Sequence, residues 1–222
     1  MATLYHHWLS PPARFVRVLL DEKRVAYRLR VEKEWERRAD FLKLNPAGEV
    51  PVLIMDNGRP YSGVMAIAEY LEETIPDPAL IPGDAEERYE VRRLTGWFHT
   101  KISSEVTRHL VSEKLFKRFL RMGEPDSEAI RCASHNLKAH MAYISWLADR
   151  RHYLAGGQFT MADAAAAAHI SVIDYFGDIA WKDWPQAKEW YMRVKSRRSV
   201  RGLLIDRIAG LQPPRHYQKL DF

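Results

Sequence analysis

Ser10 is the hydroxyl best placed for chemistry in this chain. It follows a short strand-like stretch, Thr3 to His7, and immediately precedes Pro11-Pro12 and a run with Phe15, Val16, Leu19 and Leu20 at helical spacing. A serine there suits the N-cap and a proline the first helical position, where a missing N–H costs nothing. The positive end of the helix would face the Ser10 hydroxyl and any anion beside it, a thiolate included. Ser10 therefore has two readings, a plain cap or the activator of a bound thiol. Other reactive types offer less. Cys132 is the single cysteine and lies in a helical-looking stretch, which predicts a buried structural thiol. His6 and His7 would point to opposite faces of a strand and cannot chelate one ion together. None of the nine histidines forms a zincin pair, so no metal site is expected, and there is no phosphate-binding glycine loop. Thr160 and Asp163 have the spacing of a capping box, a structural role.

The elements that would position Ser10 read as βαβ and then ββα. Tyr27 to Val31 alternates as a second strand, Leu44-Asn45-Pro46-Ala47-Gly48 turns, and Val50 to Ile54 is a third strand. Asp56-Asn57-Gly58 supplies a hairpin turn before a short fourth strand ending near Tyr61, and a helix covers Val64 to Glu73. Residues 74–83 carry Pro76, Pro78 and Pro82 and read as a linker. Beyond it only helical patterns follow, over 85–120, 127–149, 161–176 and 185–196. This predicts a mixed-sheet domain over 1–75, an all-helical domain over 84–210, and a C-terminal tail over 211–222.

The chain has 222 residues, 46% hydrophobic and 28% charged, an ordinary globular balance with enough length for a sizeable core. Its net charge of +5 is uneven. Residues 1–82 hold 11 basic and 12 acidic side chains, and residues 83–222 hold 23 and 17, so the surplus of +6 lies in the second half. That surplus suits an acidic partner as well as a solvated basic face. No apolar run approaches a membrane span, and one cysteine fits a reducing compartment, so a cytoplasmic protein is expected, with neither nucleic acid nor a membrane as partner. The seven tryptophans are expected mostly in the core, with Trp35 in a charged loop as the exception.

Four segments in order resemble the glutathione transferase superfamily over nearly the whole chain. They are Leu4-Tyr5 with Ser10 and Arg14 to Arg17, the Leu44 to Leu53 loop, Ala66 to Glu73, and Phe159 to Asp163. The resemblance implies a thioredoxin-like N-terminal domain, a helical C-terminal domain and a homodimer. It also implies a cis Val50–Pro51 bond that would turn the Val50 amide and carbonyl outward toward a peptide ligand. A glutathione-like pocket would then comprise Ser10, Val50, Pro51, Ser62, Gly63 and Val64. In transferases of the serine type, Ser10 would be the catalytic hydroxyl.

The pattern departs from the family at the γ-glutamyl anchor. An acidic or amide residue followed by Ser is expected at the third helix, and here those positions are Gly63 and Val64, with Ser62 one residue early. Each lost charge-assisted hydrogen bond would weaken glutathione about ten- to a hundred-fold. No cofactor is therefore expected, and Ser10 reads better as a cap. The tail, Leu211 to Phe222, is too rich in proline to continue a helix yet ends in apolar residues, so it should dock on its own domain or on a partner. Trp35 to Arg38, Tyr175 to Asp178, Arg193 to Arg197 and the His216-to-Phe222 ending resemble a non-enzymatic branch of the family, bacterial division proteins that bind filaments of the tubulin-like FtsZ. That resemblance implies partner contacts through Trp35, Arg197, Tyr217, Leu220, Asp221 and Phe222, and a place at the division site. The basic run from Lys188 to Arg207 would fit an acidic filament surface. The competing reading is a glutathione-dependent transferase or ether-cleaving enzyme using Ser10.

Overall fold

A computed structural model describes all 222 residues, Met1–Phe222. The chain divides into two compact units, Met1–Leu80 and Ile81–Phe222, with the division inside the proline-rich 74–83 stretch. In the first unit, β1 (Ala2–His6), β2 (Tyr27–Val31), β3 (Val52–Ile54) and β4 (Pro60–Ser62) form one sheet of order β2-β1-β3-β4. β1 runs parallel to β2, pairing Ala2 with Tyr27 and His6 with Val31, and antiparallel to β3. Every residue of the central β1 is buried. The outer β2 is mostly exposed and carries arginines, with Arg30 donating to the Tyr5 hydroxyl at 3.0 Å. Charge on an edge strand discourages pairing with another chain.

Helix α1 (Pro11–Glu22) forms because Ser10 caps it, Pro11 opens it, and Phe15, Val16, Val18, Leu19 and Leu20 give it a fully buried face. It packs on α3 (Val64–Thr74). Lys23 closes the far end, where its buried amine donates to the Glu72 carboxylate at 2.6 Å, Ile75 O at 2.6 Å and Pro78 O at 2.9 Å. Three acceptors compensate the desolvation of one ammonium. The sequence pattern misses two elements here, a 3-10 turn at Glu34–Glu36 and α2 (Ala39–Leu44). Both are too short to show a period, and in α2 only Phe41 is buried. Phe41 joins Tyr5, Ala13, Val50 and Val52 in one apolar cluster.

The second unit is helical. α4 (Ala85–Gly96) starts at an Asp84 capping box with Glu87. It continues through wider π-type turns at Trp97–Thr107 and Ser112–Phe116, which alternate with α5 (Arg108–Val111) and α6 (Lys117–Leu120), so one helical rod spans the expected 85–120. α7 (Ser127–Arg150) follows, then α8 (Met161–Tyr175), α9 (Pro185–Lys195) and α10 (Arg198–Leu204). α10 was not legible because it follows α9 after only Ser196 and Arg197.

All of α8 is buried. The alanines from Ala164 to Ala168 let neighbouring helices approach it closely, which explains the low-complexity run. Asp163 is buried at its start and accepts from Thr160 N, Thr160 Oγ1, Leu154 N and Trp190 Nε1 at 2.9–3.0 Å. Burial pushes its carboxyl up despite these donors.

Two expectations fail on this scaffold. Cys132 is exposed, because the buried face of α7 runs through Ala133, Leu137, Met141, Ile144 and Leu147 and leaves Cys132 pointing outward. Only Trp181 and Trp190 of the seven tryptophans are buried; Trp35 is exposed as expected, but so are Trp8 and Trp146, to 36% and 49%. Apolar content alone does not reveal which face of a helix or turn a large ring occupies.

Candidate functional site

The strand-to-helix corner places Ser10 at the N-terminus of α1, nearly buried, with its Oγ accepting from Ala13 N at 3.3 Å. The Val50–Pro51 peptide is cis. The Val50 N–H, which the family resemblance assigns to a peptide ligand, is already used: it donates to Glu34 Oε2 at 3.0 Å. Glu34 belongs to the 3-10 turn after β2, and its other oxygen lies 3.5 Å from His7 Nε2. Burial pushes the Glu34 carboxyl up. The His7 ring and the Val50 N–H together outweigh that and hold it below the usual carboxylate range. The next residue, Trp35, stands edge-on to His7 with ring centroids 6.3 Å apart.

The other face of the expected pocket carries no anchor. Ser62 is exposed at the end of β4 and its backbone pairs with Val52. Gly63 has φ 85°, a conformation that strains any residue with a Cβ, and caps α3 without a side-chain bond. Val64 is half-buried and apolar. The first turn of α3 has no acidic residue.

The tail docks on its own unit. Tyr217 is fully buried, its hydroxyl donating to Leu203 O at 3.4 Å and its ring 5.2 Å from that of Tyr175. His216 Nε2 lies 2.8 Å from Asp174 Oδ1, which also accepts from Trp181 Nε1 at 2.8 Å. Phe222 sits against Trp181 and stacks on His216, at centroid distances of 5.2 and 5.3 Å. The ammonium of Lys195 lies 4.2 Å from the Phe222 centroid and 4.0 Å from Asp174 Oδ2. Burial pushes the Lys195 amine down to about 8, against the opposing pull of Asp174. Of the candidate contact residues, Tyr217 is thus an internal anchor out of reach of a partner. Asp221 is exposed, Leu220, Phe222 and Arg197 are half-buried, and Trp35 is exposed in the first unit.

The basic run from Lys188 to Arg207 is not one solvated face. Lys195 is buried, Lys188 lies 5.0 Å from the Phe222 centroid, and the Arg197 guanidinium lies 4.2 Å from the Phe159 centroid. Arg193 donates to His152 O, and Arg207 to Leu204 O and Asp206 O. Sequence reasoning also missed Glu34, Asp174 and Lys195. Asp174 alone left a signal, an acid inside an otherwise apolar helix, because a buried acid needs partners. No group of three His, Cys, Asp or Glu residues could hold a metal ion, and no helix is long and apolar enough to cross a membrane.

Known proteins match this arrangement. The family model for the glutathione S-transferase N-terminal domain matches residues 9–74, and that for the C-terminal domain matches residues 109–198. The chain belongs to the glutathione S-transferase family. FtsZ-localized protein A of Caulobacter vibrioides is 46% identical over 223 residues, covering 99% of this chain and 98% of the relative. Among solved structures, a glutathione S-transferase from Rhodospirillum rubrum superposes with a TM-score of 0.98 at 54% identity over all of both chains. FzlA from C. crescentus superposes with a TM-score of 0.95 at 46% identity, over 100% of this chain and 99% of that one. The backbone donor that the family resemblance assigns to a peptide ligand is taken by Glu34, and neither Gly63 nor Val64 has a side chain that can hydrogen-bond a γ-glutamyl end.

Proposed function

We propose that this protein binds FtsZ filaments in bacterial cell division, working in the cytoplasm at the division site as a homodimer and without glutathione chemistry. The observation that carries the reading is the likeness to FtsZ-localized protein A, which runs through the tail to cover 99% of this chain. The Glu34–Val50 contact supports the non-enzymatic half of it, since a transferase would keep that N–H for its ligand. Exposed Trp35 and Asp221, with half-buried Leu220 and Phe222, are the contact candidates.

The test is pelleting with GTP-assembled FtsZ. Full-length protein is expected to co-sediment, and its absence from the pellet would sink the reading. Deleting Leu220–Phe222, or making Asp221→Lys, is expected to weaken co-sedimentation while circular dichroism stays unchanged. Equal binding by both variants would remove the tail from the interface.

One observation favours a second reading, a glutathione transferase: Ser10 still stands at the helix N-terminus beside a cis-proline loop. Retention on immobilised glutathione, with conjugating activity lost in Ser10→Ala, would support it.

A further inference from the structure

The second unit holds a cleft of about 700 Å³ whose rim carries Lys114, Lys117, Arg118 and Arg121, with Phe176 and Leu211 among its lining. One acid, Glu124, also lines it, so the lining charge is 4 − 1 = +3. Two of the four cations are already compensated. Lys114 pairs with Asp178 at 2.6 Å, and Lys117 pairs with Glu113 at 2.6 Å. Arg118 and Arg121 are exposed, and their side chains make no ion pair or hydrogen bond. Arg118 lies within α6 and Arg121 is its left-handed C-cap, with φ 52°, and both line the cleft. Two planar forks with free N–H groups on one cleft suit carboxylates.

The apolar part of the cleft has a distinct origin. Phe176 is the residue just after α8, and Lys114 lies 5.9 Å from its ring centroid. Leu211 and Gln212 begin the tail. Leu211 is held in place by its carbonyl, which accepts from the Tyr175 hydroxyl at 2.8 Å. The cleft therefore exists in this form only while the tail is docked. It is open rather than enclosed, charged at the rim and aromatic inside, a shape for an extended segment rather than a swallowed small molecule.

We propose that this cleft binds an acidic peptide segment of the filament partner, with carboxylates on Arg118 and Arg121 and an apolar side chain against Phe176 and Leu211. This rests on the FtsZ-binding reading and adds to it a site apart from the tail's own end. Positive charge of the second half, largely turned inward along Lys188–Arg207, is left without a partner here at Arg118 and Arg121.

The experiment uses the full-length chain and a fluorescein-labelled peptide of glutamates flanking a phenylalanine, read by anisotropy at low salt. The wild type is expected to bind, with affinity falling as salt rises, and Arg118→Ala/Arg121→Ala to bind about tenfold or more weakly. The same peptide with glutamines for glutamates should not bind. Equal binding by the double variant, equal binding of the glutamine peptide, no wild-type binding, or displacement of the peptide by inorganic phosphate at matched ionic strength would each overturn the proposal. Neither arginine side chain makes a bond in the fold, so an unchanged thermal melt accompanies the expected result. Pelleting with FtsZ separates the two readings. A double variant that loses the peptide but pellets like wild type overturns the cleft as the filament dock. A wild type that binds the peptide but never pellets overturns the filament reading and leaves the acidic-segment site standing.

Discussion

Two regions of this molecule close on themselves, and they do so to very different depths. In the first unit, one exposed turn swings Glu34 onto the Val50 N–H; the Glu34 side chain keeps 27% of its exposure and its neighbour Trp35 stays open. In the second, the tail is woven into the core, with Asp174 and Lys195 fully buried beneath His216 and Phe222 and Tyr217 fully enclosed. The first closure rests on one side chain, Glu34, with two partners, Val50 N–H and His7, and a ligand could displace it. The second is part of the fold, so a partner that reads the tail reads its outer face, Leu220 and Asp221, with the tail in place.

The sharpest way to break this contrast is Asp174→Ala. It leaves Trp181 Nε1 and His216 without their acceptor and Lys195 as an uncompensated buried charge. Breaking a buried pair in this way costs about 3–5 kcal/mol, and urea unfolding should show that loss. A loss below about 1 kcal/mol would mean that the tail rests on the surface after all.

A pH series examines the same cluster more gently. Burial holds the Lys195 amine at about 8 against its ordinary 10.5. Between those values the unfolded chain binds the proton and the folded chain has lost it, so stability rises with pH across that window and levels off above it. Below about 8 both states are protonated and the penalty of the buried ammonium is fully present. The difference in urea midpoint between wild type and Lys195→Met should therefore shift from pH 7.5 to pH 9.5 in favour of the wild type, other lysines and tyrosines cancelling between the two. Parallel midpoints would show that Lys195 is solvated.

Much of this contrast was hidden in the sequence for identifiable reasons. The long elements were legible because burial repeats along them: Phe15, Val16, Leu19 and Leu20 mark α1, and Leu137, Met141 and Ile144 mark α7. The proline-rich 74–83 stretch marked the division, and Gly63-Val64 showed that α3 opens without a hydrogen-bonding side chain. Glu34 could not be read, because its bond joins residues 16 positions apart through a turn with no pattern of its own. The docked tail was one of two readings until the helix faces were known, since Phe222 meets side chains from the 3-10 turn at Trp181–Asp183 and from α9. Charge along Lys188–Arg207 gave the wrong impression for a similar reason. Helical geometry turns successive cations to different faces, and five of the seven, Lys188, Arg193, Lys195, Arg197 and Arg207, find rings or carbonyls of the fold.

Smaller effects are expected in the first unit. Ser10→Ala removes the bond from Ala13 N and should lower stability by about 1 kcal/mol, the usual worth of an N-cap. The two readings of Ser10 part company here. If it is only a cap, the loss appears in unfolding and no conjugating activity exists to be lost.

The smallest expected change in stability, and the most informative about the first closure, is Glu34→Ala. Glu34 is partly exposed and holds only the Val50 N–H and the His7 ring, so removing it should alter urea stability by no more than about 1 kcal/mol. Its consequence lies in ligand binding. Calorimetry with glutathione should give no heat with the wild type, where the Val50 N–H is taken. It should give little with Glu34→Ala, which frees that donor but leaves α3 beginning with Gly63 and Val64. Adding Val64→Ser restores one hydroxyl to the γ-glutamyl side, and the double variant should bind about tenfold or more tightly than either single change. Gly63 is left alone because its φ of 85° would strain a residue with a Cβ. Tight binding by the wild type would show that Glu34 swings aside at little cost. The turn would then be a gate rather than a seal, and the contrast with the tail would be one of mobility rather than of function.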